Sequence, residues 1–298
     1  MARLCRSGSS MAQMRCGGSC ASNCVTGRRY VRNAVEYLGF TEAEIAAAIE
    51  ETHRVGRKIG AHLRADLDTG LRLCLKHGLD LTDHVFPVDD ESIDLYLQAQ
   101  ATSVPTYTIA LQTAVDWEVL RRKSIAERLA HVRQLDEQRL SQTVFDDRAV
   151  EARVRFVRDQ APDAFRRAAA AGVPYCLGTD AMHGLFAYEM EILTRWEMPE
   201  MDAIVAGTLA GARALGIDDE TGSLEPGKLA DIIAVDGNPL TDIQALGHVS
   251  FVMRAGVAYD PAALLHGDTP SLMAFSSAQP RPALAAQGAS ACCGSGRR

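Results

Sequence analysis

His62 and His84 each close a short apolar run, Lys58 to Leu63 (KIGAHL) and Asp80 to Phe86 (DLTDHVF), and Asp180 follows a third, Val173 to Leu177. If the runs are strands of one parallel sheet, their C-terminal ends open on the same side. In a barrel the side chains there converge on the axis. Two imidazoles and a carboxylate on one rim can hold a divalent metal, with zinc as the first choice. Taken singly, each histidine reads first as a hydrogen-bonded strand-end residue, and Asp180 as a turn or N-cap residue. The same topological position recurring three times is what raises the metal reading beside them. Near these positions stand three candidates for substrate contact. Arg64 could grip a carboxylate with its planar fork or simply be solvated at a strand exit. His183 could approach substrate or lie in a surface loop, and Tyr107 could line a pocket or pack in the core. His53, His77, His131, His248 and His266 fall on helices or edges and are assigned nothing.

The elements that would position these residues alternate. Thr41-Glu42-Ala43-Glu44 forms a capping box that opens a helix running to about Val55 and stopping at Gly56. A second helix, capped by Asp66, puts Leu67, Leu71, Cys74 and Leu75 on one face and ends at Gly78. A third starts at Asp89 or Asp90, and Thr102 to Tyr107 reads as the next strand. From about Asp116 to Ala171 the pattern is charged and helical, with a break near Thr143 to Asp146 that predicts two long helices. Another helix is expected over Glu200 to Leu215. Strands separated by helices of this length imply βαβ crossovers and a parallel sheet. Gly222 to Val235 and Ser250 to Tyr259 then read as hairpin strands, with turns at Pro226-Gly227 and Asp236-Gly237.

Composition narrows the classes. The 298 residues carry 31 Lys plus Arg against 38 Asp plus Glu, a net charge of −7, which argues against a general nucleic-acid binder. No apolar run approaches the ~18 residues of a membrane helix. The eight cysteines are too few for a disulfide scaffold of this length, and reduced thiols in a cytoplasmic protein are expected. Cys16, Cys20 and Cys24 are evenly spaced, but no fourth ligand accompanies them. Residues 1–33 contain six arginines and no acid, and are expected to be irregular: a transit segment or loop sequence behind a misplaced start. The Ala-, Ser- and Pro-rich end, within 261–298, is expected to be mostly disordered.

Gly178-Thr179-Asp180, the run Thr208 to Gly216 (TLAGARALG), and Gly222 to Leu240 (GSLEPGKLADIIAVDGNPL) together resemble the C-terminal third of the amidohydrolase superfamily. Its imidazolonepropionase-like and prolidase-like metal-dependent hydrolases are the closest in pattern, and the likeness extends back through His62 and His84 to cover about residues 34 to 260. The resemblance implies an α/β fold: the C-terminal half of a (β/α)8 TIM-type barrel over 34–218, with a small β appendage over 219–260 that is part of a composite sandwich. It also implies His62, His84 and Asp180 as metal ligands, Asp180 as the catalytic proton carrier, a small-molecule substrate, and hydrolysis of a carbon–nitrogen bond in an amide, cyclic amide or dipeptide.

Two elements of that family's pattern are missing. No His-x-His occurs among the eight histidines. Where relatives carry a lysine that becomes carboxylated, the nearby Met14-Arg15-Cys16-Gly17-Gly18 offers only Arg15, whose pKa above ~12 leaves no neutral amine to react. Half a barrel would also leave open sheet edges and an uncovered core face. Either a second copy closes it, as a homo-oligomer, or the chain is a truncated, catalytically incomplete fragment with a structural role or none.

Overall fold

The computed structural model describes residues 30–33, 40–63, 68–84, 89–111, 120, 123–145, 148–180 and 184–266. Arg64, His183, the cysteine-rich N-terminus and the tail after 266 lie outside the described residues. Strand β1 (Tyr30–Asn33) is followed by α1 (Glu42–Arg54), β2 (Lys58–His62), α2 (Asp68–Lys76), β3 (Leu81–Asp83), α3 (Asp90–Ala99) and β4 (Thr102–Val104). The four strands are parallel and sit in sequential order, β1-β2-β3-β4. A parallel bridge from Ser103 to Tyr175 carries the ladder one segment further. The chain therefore has the βα-repeat arrangement of a TIM-barrel-type α/β fold.

Local sequence accounts for most of these units. Thr41 accepts from the Glu44 amide while the Glu44 carboxylate accepts from the Thr41 amide, so the capping box that starts α1 is formed on both sides. Asp89 and Ser92 do the same for α3. Alternation along the strands divides the side chains between two layers. Ile59, Ala61 and Leu63 enter the large core with Ile45 and Ile49 of α1 and Leu71 and Leu75 of α2. Leu81 points the other way, into a small core with Cys176 and Ala214.

The broken helical region appears as α4 (Ile125–Ser141) and α5 (Arg148–Arg155), the latter running through a π turn at Phe156–Gln160 into α6 (Ala161–Ala171). Beyond it lie α7 (Phe186–Arg195), α8 (Glu200–Ala206) and α9 (Leu209–Leu215), so the single helix expected over Glu200 to Leu215 is split at Gly207-Thr208. Helix α7 was not anticipated. No helix among the described residues is long and apolar enough to cross a membrane.

Two expectations are corrected. Residues 1–33 are not irregular throughout, because Tyr30–Asn33 pair with β2. The appendage is a three-stranded antiparallel sheet, β5 (Ile232–Val235), β6 (Val249–Arg254) and β7 (Val257–Tyr259), and residues 222–231 form no strand. Leu224 and Leu229 are exposed there, so no buried face drives ladder formation. Its tight hairpin is at Ala255-Gly256, where both residues have positive φ as a two-residue turn requires. Helix α10 (Pro261–His266) is the last of the described elements.

Candidate active site

His62 is the last residue of β2 and pairs in register with Asp83, the last of β3. His84 comes next, and its amide donates to the Val104 carbonyl, so the ladder holds its backbone. The two imidazole rings stand edge to face, with centroids 4.3 Å apart. On the third segment, Asp180 Oδ2 lies 3.9 Å from His84 Nε2. The structure thus brings all three residues to one rim.

The backbone is unusual at two of them. His84 has φ 70° and Asp180 has φ 50°, both in the left-handed region. Side chains other than glycine pay about 1–2 kcal/mol there, although Asp and His tolerate it better than most. Such conformations persist where surrounding contacts fix them and are concentrated at functional sites.

The second nitrogen of His84 is also engaged: Nδ1 lies 2.6 Å from Thr106 Oγ1. Thr106 precedes a short 3-10 turn, Tyr107–Leu111. That turn is clasped by Glu189 of α7, whose carboxylate accepts from the Tyr107 amide (3.2 Å), the Thr108 amide (2.8 Å) and the Thr108 hydroxyl (2.6 Å). Glu189 is fully buried. Burial pushes its carboxyl up to about 8; the hydrogen bonds from Thr108 and Tyr107 oppose this, and the charge of Asp136 adds to it. Cys176, beneath the rim, is pushed up to about 12 by burial first and then by the charge of Asp83.

Tyr107, a candidate for substrate contact, is 5% exposed, and its ring packs edge to face on Trp196 at 4.3 Å. It sits in the aromatic part of the core with Phe165 and Tyr175.

Two imidazoles and one carboxylate suit a divalent metal in donor type, and three protein ligands are what a catalytic zinc site uses while keeping a position open. The 3.9 Å between His84 and Asp180 is within ~4.2 Å, twice a zinc–nitrogen bond. Even so, among the described residues no group of three or more His, Cys, Asp or Glu side chains is gathered into a ligand set. The donors fit a divalent metal in kind, but their side chains are not drawn together into a ligand set.

Thr106 and Glu189 carry no motif, and the reading of the sequence passed over both. Glu189 did leave a signal: it is the acid on the buried stripe of Leu185, Tyr188, Ile192 and Leu193.

Parallel βα units in sequential order, with polar side chains presented at the strand C-termini, define a barrel-type α/β protein built like an enzyme. The model of the amidohydrolase family matches residues 33–258, and the chain belongs to that family. Members of this family generally use a divalent metal. The ochratoxinase of Aspergillus niger is 28% identical over 212 residues, 70% of this chain and 38% of that protein. The imidazolonepropionase of Picrophilus torridus is 60% identical over 35 residues, 12% of this chain and 9% of its own. Among solved structures, a Xaa-Pro dipeptidase with bound methionine in the active site superimposes with a TM-score of 0.56 at 31% identity, covering 74% of this chain and 49% of that one. The A. niger ochratoxinase structure gives 0.57 at 26% identity, with 74% and 46% covered. The chain spans about half or less of these relatives.

Proposed function

We propose that the protein hydrolyses a carbon–nitrogen bond in a small molecule, an amide, cyclic amide or dipeptide, with zinc held by His62, His84 and Asp180. The observation that carries this reading is the meeting of those three side chains at one rim in a member of the amidohydrolase family. The ochratoxinase and dipeptidase relatives support the substrate class. In this reading β1 to β4 and the Tyr175 segment form the C-terminal half of the barrel, and β5 to β7 part of the composite sandwich.

A divalent metal, when bound, acts as a Lewis acid that lowers the pKa of water and polarises the scissile carbonyl. Asp180 takes the proton of the attacking water and returns it to the leaving nitrogen. The two imidazoles hold the rim in register with the ends of β2 and β3. Arg64 and His183 remain the candidates for gripping substrate polar groups, while burial gives Tyr107 a packing role.

The test is elemental analysis of the purified chain, together with assays on N-acyl amino acids, cyclic amides and Xaa-Pro dipeptides. We expect a stoichiometric divalent ion, and turnover that Asp180→Asn lowers by about 10²- to 10⁴-fold. Full activity after exhaustive chelation, or an Asp180→Asn variant as fast as the parent, would overturn the reading. A second reading, of a catalytically incomplete chain with a structural role, is favoured by the lack of any His-x-His. It expects weak metal retention and no turnover on the same panel.

A further inference from the structure

We propose that Thr106 is a positioning residue for His84: its hydroxyl, locked in place from two sides, fixes the ring so that Nε2 is directed to Asp180. The inference rests on the hydrolase reading for its purpose, but the geometry stands apart from it. His84 Nδ1 and Thr106 Oγ1 are 2.6 Å apart, and the opposite ring nitrogen is the one facing Asp180. An imidazole hydrogen-bonded at one nitrogen keeps its plane, and such outer partners are what orient ligating histidines. A hydroxyl suits this position because it both donates and accepts. It can donate to an unprotonated Nδ1 or accept from Nδ1–H, so the contact holds the ring in place in either tautomer.

What makes the hydroxyl a fixed point is its surroundings. Threonine is stiff at χ1, so placing its methyl places its hydroxyl. A Cβ built on Gly178 would lie 3.3 Å from the Thr106 methyl and 3.0 Å from a methyl of Val104. The missing side chain at Gly178 is therefore the seat of the Thr106 methyl. On the C-terminal side, the Glu189 clasp on the amides of Tyr107 and Thr108 holds the backbone immediately after Thr106. Thr106 is 5% exposed, and little room is left for another rotamer.

Thr106→Val keeps shape and removes the hydrogen bond, whereas Thr106→Ser keeps the hydroxyl and loses the methyl that seats it. The first readout is ¹⁵N NMR of the His84 ring in metal-free protein at pH 8, assigned with His84→Gln. The Nδ1 resonance should carry a hydrogen-bond shift in the parent, a smaller one in Thr106→Ser and none in Thr106→Val. The second is the zinc dissociation constant by chelator competition, weakened about 10- to 100-fold in Thr106→Val and by less in Thr106→Ser. A His84 spectrum unchanged in Thr106→Val overturns the proposal, as does a zinc affinity equal to the parent's. A His84 Nδ1 shift that depends on Thr106 in a protein that binds no zinc upholds the positioning role while removing the hydrolase reading.

Discussion

Gly178 illustrates how much of the rim depends on one absent methyl. Its φ is not in the left-handed region, so glycine is not required there for backbone reasons. Space is the reason, because an added Cβ would meet the branched side chains of Val104 and Thr106 at 3.0 and 3.3 Å. Neither neighbour is a flexible chain end that could swing aside. We expect Gly178→Ala to cost about 1–3 kcal/mol by overpacking and to weaken zinc binding in parallel with Thr106→Val; chemical denaturation and chelator competition on the same preparation check both. A variant as stable and as tight as the parent would contradict the packing argument. At this scale the sequence was legible where residue type and topological position coincide. His62, His84 and Asp180 could be picked out because each follows an apolar run. Thr106 could not, since a threonine after a strand is unremarkable until its partner across the sheet is known. Tyr107 was open to two readings, pocket or core, and its ring turns into the core against Trp196.

Helix α7 ties the rim to the outer layer through polar groups placed where apolar residues would ordinarily sit. Glu189 clasps the turn after β4, Glu191 takes both arms of Arg133 on α4, and Tyr188 donates to Asp136, which also receives Arg195. A carboxyl raised to about 8 in the folded chain and near 4.5 when unfolded holds its proton only in the fold across that window. Its contribution to stability is fully present below 4.5 and is lost as pH rises through about 8. Between pH 5 and 9 the parent should therefore lose up to about 4 kcal/mol more than Glu189→Gln, which cannot titrate. Urea unfolding at several pH values measures the difference. Parallel pH profiles, or a parent that gains relative to the variant on the alkaline side, would show that Glu189 is not the buried acid described. The capping box of α1 and the aspartate start of α3 were readable because their signal is local. The β appendage was misread over 222–231 because Pro-Gly and alternating apolar residues mark a strand only where another strand and a buried face are supplied.

The sequential parallel order of β1 to β4 follows from alternating elements, but what covers the inner face of that sheet does not. Hydrophobic periodicity reports the stripe each element must bury, without naming the partner that buries it. Here the cover is α9: Ala214 meets Leu81 and Cys176, with Ala210 and Val104 at the margin. The helix ends against β2, where the Lys58 ammonium donates to the Arg213 carbonyl, placing positive charge at the negative end of the helix. The apolar seal between α9 and the sheet is thin compared with the large core on the opposite face. The two thiols among the described residues distinguish the layers, since Cys176 lies under α9 and Cys74 lies in the large core. A charge at Ala214 should lift α9 first. We expect Ala214→Glu to lower stability by about 2–4 kcal/mol through an unpaired buried carboxylate, and to let a thiol reagent modify Cys176 well before Cys74, read by peptide mass spectrometry. Both thiols are closed by burial in the parent, and Cys176 is further held protonated by its surroundings. Equal labelling of the two in the variant would mean that the faces open together, and that α9 is not an independent cover on the sheet.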